Sequence, residues 1–191
     1  MCIIVFKPEG VKLPEYDMRL RCELNNPDGF GFATPTKVYH SMDRKEFEKV
    51  LRANVKKNEP AFIHCRIATH GSIRLSNCHP FVDERSGVAF AHNGILTSVK
   101  PIKDKTDSET AFITRFVPVI RKYGITSREL AAEARDVLGN GSSKLIFMDS
   151  EGHVVRFGNW YTGEDGCFYS HYPYPFYFSS HYKHPAYKLF V

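Results

Sequence analysis

The sequence contains no run of about 18 or more apolar residues, so nothing in it reads as a membrane-crossing helix. It contains no CxxC pair either. Its five cysteines, Cys2, Cys22, Cys65, Cys78 and Cys167, are scattered and odd in number. That pattern argues against a secreted disulfide framework and for a reducing, cytoplasmic setting. The opening MCIIVFKPEG has no basic stretch and too short an apolar run for a secretory signal. Clustered positive charge is also missing. The net charge is only +5, and Lys56-Lys57 and Arg121-Lys122 sit at the ends of helical patterns, where cations suit the helix dipole. A nucleic-acid partner is therefore not expected. His64, Cys65, His70, Cys78, His79 and His92 follow no zinc-ligand spacing, so no metal is expected.

What is present is an ordinary globular composition over 191 residues, enough for one domain with a full core. Residues 2–6 read as a strand with Cys2 at its start. Asn25-Asn26-Pro27-Asp28-Gly29 is a dense turn signal leading into Phe30-Gly31-Phe32-Ala33, and residues 37–40 can pair with that segment as a hairpin. Residues 43–57 carry the clearest helix: Phe47, Val50, Leu51 and Val55 recur at helical spacing behind a capping box of Asp43 and Glu46. Residues 61–68 and 88–91 read as strands. Thr106 with Glu109 opens a helix towards Tyr123 that Pro118 should kink or split. Thr126 with Glu129 opens another, closed by Gly139, and residues 144–148 and 153–157 form a hairpin. Strands in hairpin blocks, without strict βαβ alternation, point to an α+β layered fold.

From Trp160 onward aromatics crowd together, interleaved with prolines in Tyr172-Pro173-Tyr174-Pro175-Phe176. An extended segment packed over the domain is preferred to a stacking surface for bases, because Lys183 and Lys188 are the only Lys or Arg residues after Arg156.

Chemistry concentrates in two runs: His64-Cys65-Arg66-Ile67-Ala68-Thr69-His70-Gly71 with Asn77-Cys78-His79-Pro80-Phe81, and Ala91-His92-Asn93-Gly94 with Thr106-Asp107-Ser108-Glu109. Singly, Asn93-Gly94 is a hairpin turn by default, and Arg66 in an apolar run asks only for an anionic partner. Together with Met1-Cys2 and Asp28-Gly29-Phe30-Gly31, these runs resemble the glutaminase domain of class II glutamine amidotransferases, within the N-terminal-nucleophile (Ntn) hydrolases. The order and intervals match across residues 2–160, and the nearest likeness is to stand-alone members without a fused synthase. The resemblance implies a four-layer αββα Ntn sandwich over residues 1–160, with residues 161–191 as an aromatic-rich C-terminal extension packed on it.

It also implies roles. Cys2 would be the nucleophile: cysteine is small enough for an aminopeptidase to remove Met1, leaving an α-amine beside the thiol to serve as base. Asn93 (side-chain amide) and Gly94 (backbone N–H) would form the oxyanion hole. Arg66 would pair with the substrate α-carboxylate, Asp107 with its α-ammonium, and Thr69, His70 and Gly71 would shape the pocket at the carboxylate end. Phe30 and Gly31 are expected to close one wall. The implied substrate is L-glutamine, hydrolysed to glutamate and ammonia through a cysteinyl thioester without metal or organic cofactor. A separate ammonia-accepting synthase is an expected partner. Two departures stand out: Ile67 follows Arg66 where many synthase-fused members carry an aromatic, and Asn25-Asn26-Pro27-Asp28 replaces an arginine-glycine motif. A γ-glutamyl peptide or amide hydrolase would use the same Cys2, Arg66 and Asp107. A non-catalytic binding module is the alternative of another class.

Overall fold

The structure, a computed structural model, describes residues 1–68 and 72–172. Alternation of side chains along its central strands divides the core into three layers, and this division builds the whole architecture. Strand β1 (Ile3–Lys7) sends Ile3 and Val5 to one face and Ile4 and Phe6 to the other. Its neighbour β4 (Ala61–Cys65) does the same, with Ala61, Ile63 and Cys65 on the first face and Phe62 on the second. The first face is covered by helices α1 (Tyr16–Asn25) and α2 (Arg44–Asn54), through Cys22, Phe47 and Leu51.

The second face packs on another sheet. There β6 (Val88–Asn93) and β7 (Lys144–Met148) present Ala89, Ala91, Ile146 and Met148 towards Ile4, Ala33 and Phe62. Their opposite faces carry Val88, Phe90, Leu145 and Phe147. These meet α3 (Asp107–Ala111), a π-helical turn over Phe112–Phe116, α4 (Val117–Tyr123) and α5 (Arg128–Leu138). The result is helices, sheet, sheet, helices: the αββα sandwich expected from the resemblance.

The remaining strands complete the sheets. β2 (Phe30–Thr34) and β3 (Lys37–Ser41) form the expected hairpin, and β9 (Tyr161–Thr162) and β10 (Phe168–Tyr169) extend the first sheet to the order β3-β2-β4-β1-β10-β9. The second sheet runs β5-β6-β7-β8, with β5 at Phe81–Asp83 and β8 at Val154–Phe157. Residues 173–191, which include most of the aromatic-proline segment, lie outside the described residues. Among the described residues no helix is long and apolar enough to cross a membrane.

Several expectations shift in detail. Helix α1 was not foreseen. Helix α2 ends at Asn54, short of Lys57, and only half of its capping box forms: Asp43 accepts from the Glu46 N–H at 2.8 Å, whereas the Glu46 carboxylate takes the hydroxyls of Tyr39 and Ser41. Helix α5 is capped by Ser127, not Thr126. Pro118 does not break its helix: residues 107–123 are helical throughout, with a π-helical turn over Phe112–Phe116 just before the proline. Asn93-Gly94 is not a hairpin turn, since β6 pairs with β5 and with the distant β7. The Phe30 ring packs on Phe47 in the core beneath α2, so it forms no wall of a site. Gly31 faces the other way, and a Cβ there would lie 2.0 Å from the His79 carbonyl oxygen. Only glycine allows that approach.

His64 of β4, His79 just before β5 and His92 of β6 form a buried histidine cluster. The His79 ring sits 4.5 Å from that of His64, 4.5 Å from Phe81 and 6.5 Å from His92. Burial holds His64 down to about 3 and His79 well below its ordinary range, reinforced by the charges that His64, His79 and His92 would place on one another and by Arg66. His92 is lowered by burial too, against an opposing pull from Asp107.

These imidazoles bind protons readily once unfolded, near 6.5, but resist them in the native state. Their contribution is therefore complete above about pH 6.5 and is lost as pH falls towards the folded values. Each adds a slope of about 1.4 kcal/mol per pH unit within that window. Glu23, held above the carboxylate range by burial, acts in the opposite sense but is a single group. Urea unfolding at pH 7.5, 6.0 and 5.0 should show stability falling steadily with acidification; a flat profile would contradict the buried neutral cluster.

Candidate active site

Cys2 lies at the mouth of β1, half-buried, with its thiol 3.5 Å from the Ile67 carbonyl oxygen. Burial pushes this thiol up, while the Ile67 contact, the positive chain terminus and the Arg66 guanidinium pull it down. The first three features of the expected site are thus neighbours: nucleophile, terminus and arginine.

Arg66 is buried, at the point where β4 stops. The strand ends there, short of Ala68. The β2–β4 ladder continues one step past the strand, with Gly29 opposite Arg66, and then leaves register at Asp28. The Arg66 N–H donates to the Gly29 carbonyl at 2.8 Å, and the Asp28 N–H donates to the Arg66 carbonyl at 2.9 Å. The Asp28 carboxylate then accepts the Ala68 N–H at 2.8 Å. Asp28-Gly29 is a splint for residues 66–68, a task that the motif Asp28-Gly29-Phe30-Gly31 did not disclose. Thr69, His70 and Gly71 lie outside the described residues.

The facing wall is built by the end of β6 and the start of α3. Asn93 is buried, and its side-chain N–H donates to the Ser170 hydroxyl oxygen at 2.8 Å, with the His171 ring nitrogen at 3.4 Å from the same amide nitrogen. Gly94 adopts φ +136°, where an added Cβ would lie 2.1 Å from the Ser143 hydroxyl. That hydroxyl is committed: it donates to the Ile95 carbonyl at 3.0 Å and accepts the Ile95 N–H at 3.1 Å. Asp107 completes the turn. One carboxylate oxygen accepts the Leu96 N–H at 2.8 Å, the other the Ser108 N–H at 2.8 Å. The Thr106 hydroxyl caps α3 by accepting the Glu109 N–H. Ser108 and the His92 ring nitrogen are 2.7 Å apart, which ties the strand to the same helix.

The strand that begins beside Cys2 and the wall that carries Asn93 share Ser170, whose hydroxyl oxygen accepts the Ile4 N–H at 2.9 Å and the Asn93 amide at 2.8 Å. Burial, with the charges of the chain terminus and Lys144, depresses the neighbouring His171 imidazole to about 4. Ser170 and His171 belong to this cluster, and no sequence motif marked either of them.

Comparison with known proteins gives an independent view. A family model described as class-II glutamine amidotransferases matches residues 36–155, which include Arg66, Asn93, Gly94 and Asp107 but not Cys2 or Ser170. The glutamine–fructose-6-phosphate aminotransferase of Rhizobium meliloti (strain 1021) is 27% identical over 172 residues, covering 82% of this chain and 28% of that protein. The Saccharomyces cerevisiae "Probable glutamine amidotransferase DUG3" is 31% identical over 140 residues, covering 57% of this chain and 38% of its own length. This chain thus spans well under half of either relative. Among solved structures, the "allosteric regulatory enzyme of purine biosynthesis" aligns over 88% of this chain and 41% of its own, with TM-score 0.55 at 15% identity. The glutamine phosphoribosylpyrophosphate amidotransferase of B. subtilis aligns with TM-score 0.53 and the same coverage and identity. At that identity the likeness is one of fold.

Gly94→Ala combines a strained backbone with an overlap on Ser143. It should destabilise the protein by about 2–4 kcal/mol, beyond the usual cost of overpacking alone. Denaturant midpoints would measure the loss, and an unchanged midpoint would mean that the turn relaxes freely.

Proposed function

The chain belongs to the class II glutamine amidotransferase family, and from that premise we propose that it hydrolyses the γ-amide of glutamine to glutamate and ammonia through a thioester on Cys2. The observations that support this reading are two contacts: Ser170 joins the Asn93 amide to the strand that begins beside Cys2, and the Cys2 thiol lies 3.5 Å from the carbonyl oxygen of Ile67, next to Arg66.

Once Met1 is removed, the α-amine belongs to Cys2 itself. With an ordinary pKa of about 8, it takes the thiol proton near neutral pH, so no separate histidine base is needed. The thiolate attacks the side-chain carbonyl carbon of glutamine. The negative charge that develops on oxygen is met by an N–H of the Asn93 amide and by the Gly94 backbone N–H. The tetrahedral adduct collapses, the amine returns its proton to the leaving nitrogen, and ammonia departs. Water then attacks the γ-glutamyl thioester to release glutamate and regenerate the thiol.

Arg66 holds the α-carboxylate as a planar fork, and Asp107 holds the α-ammonium. Asp107 already accepts two backbone N–H groups and, at 3.3 Å, the Ser108 hydroxyl. A carboxylate has about four lone-pair sites, so it retains capacity for the ammonium. Thr69, His70 and Gly71 take the carboxylate end. The chain's ammonia acceptor is read as a separate synthase, and faster glutamine turnover on mixing with one is the corresponding measurement.

Intact mass of the purified protein should lack Met1, and diazo-oxo-norleucine should form one adduct at Cys2 that excess glutamine suppresses. Retained Met1 with no adduct would sink this reading. Asn93→Ala should lower kcat by about 10² to 10³ while still forming the Cys2 adduct slowly, as expected for loss of one oxyanion donor.

A further inference from the structure

Resting on that reading, we propose that Ser170 is a positioning residue of the oxyanion hole, fixing the Asn93 amide relative to the strand that carries Cys2. The residue is fully buried, and its one hydroxyl oxygen receives two donors from different sheets. The Ile4 N–H of β1 reaches it at 2.9 Å, and the Asn93 amide at the end of β6 reaches it at 2.8 Å. A serine oxygen has two lone pairs, so this pair of donors fills its accepting capacity.

The backbone explains why a side chain stands here. β10 pairs with β1 through Tyr169 opposite Val5 and Phe168 opposite Phe6. One step further, the Ser170 N–H still donates to the Ile4 carbonyl at 2.9 Å. The return bond does not go to a backbone carbonyl. Ile4 donates instead to the Ser170 hydroxyl, which places that oxygen between the sheets where Asn93 can reach it.

Geometry then constrains the amide. The Asn93 nitrogen has two N–H groups, and Ser170 holds one of them. The His171 Nδ1 lies 3.4 Å from the same nitrogen. Ser170 therefore fixes the plane of the amide and with it the direction of the remaining N–H. Cys2 and Ile4 are two residues apart on an extended chain and share a face, so the Ile4–Ser170–Asn93 link also sets the separation of thiol and amide. Removing the hydroxyl frees the amide to rotate and leaves the Ile4 N–H without its acceptor.

The test is a double-mutant cycle on glutamine turnover. Ser170→Ala should lower kcat about tenfold with KM for glutamine changed less than about twofold, since Ser170 touches no part of the substrate. In an Asn93→Ala background the same substitution should cost almost nothing, because the amide through which it acts is gone. Ser170→Thr, which keeps the hydroxyl, should remain within about threefold of wild type. Losses that multiply in the double variant, or a wild-type rate in Ser170→Ala, would overturn the proposal while leaving the glutaminase reading intact. A wild type that does not turn over glutamine would overturn that reading, and the proposal with it. Should Ser170→Ala fail to fold, the Asn93 side-chain amide of the wild type decides instead. Its nitrogen-attached protons, assigned by their disappearance in Asn93→Ala, should exchange slowly with solvent, and fast exchange would refute the link.

Discussion

Burial of β1 on both faces and both edges is the constraint from which the rest follows. β4 lies along one edge and β10 along the other, while Ile3 and Val5 enter one core and Ile4 and Phe6 another. A strand so enclosed must present apolar side chains in both directions, which is why IIVFK shows a continuous run and no alternation. It must also be covered by a helical layer on one side and a second sheet on the other. The αββα order is the simplest arrangement that satisfies both demands. Cys2 sits at the open end of this enclosed strand.

Much of this was legible locally. The β2–β3 hairpin, helix α2 and the β7–β8 hairpin each carry their own signal, a turn or cap beside a periodic apolar set. Helix α1 was hidden for a physical reason. Met18, Leu20, Cys22 and Leu24 alternate with polar residues, the pattern of a half-buried strand, and of its residues only Cys22 and Glu23 are buried. Its place is set by tertiary packing, not by its own periodicity. Likewise the run from Ala61 to Ala68 looks uniformly strand-like, and nothing local reveals that Asp28 and Gly29 will take the backbone of Arg66.

The site divides in the same way. Cys2, Arg66, Asn93, Gly94 and Asp107 announce themselves through residue type and order, and the structure ties the strand beside Cys2 to Asn93 through Ser170. What the motifs do not express is support. Asp107 secures the turn after Gly94 through the Leu96 N–H, Ser143 secures the same turn from below, and Asp28 braces the segment after Arg66. Each acts through backbone groups of residues distant in sequence, so composition and spacing carry no trace of them.

The pairing of β10 with β1 has a consequence for how the protein comes into being. The bond from Ile4 to Ser170 spans 166 residues. Closing a loop of that size costs entropy that only the finished core repays, so such contacts form late. On the ribosome, the amino-terminal strand emerges first but keeps one edge exposed until the segment around Tyr169 has followed. The first strand is thus completed only by a segment made 166 residues after Ile4, and a nascent chain lacking β10 holds the Cys2 thiol beside an unfinished sheet edge. Assembly order itself therefore keeps the surroundings of Cys2 incomplete until β10 has been made.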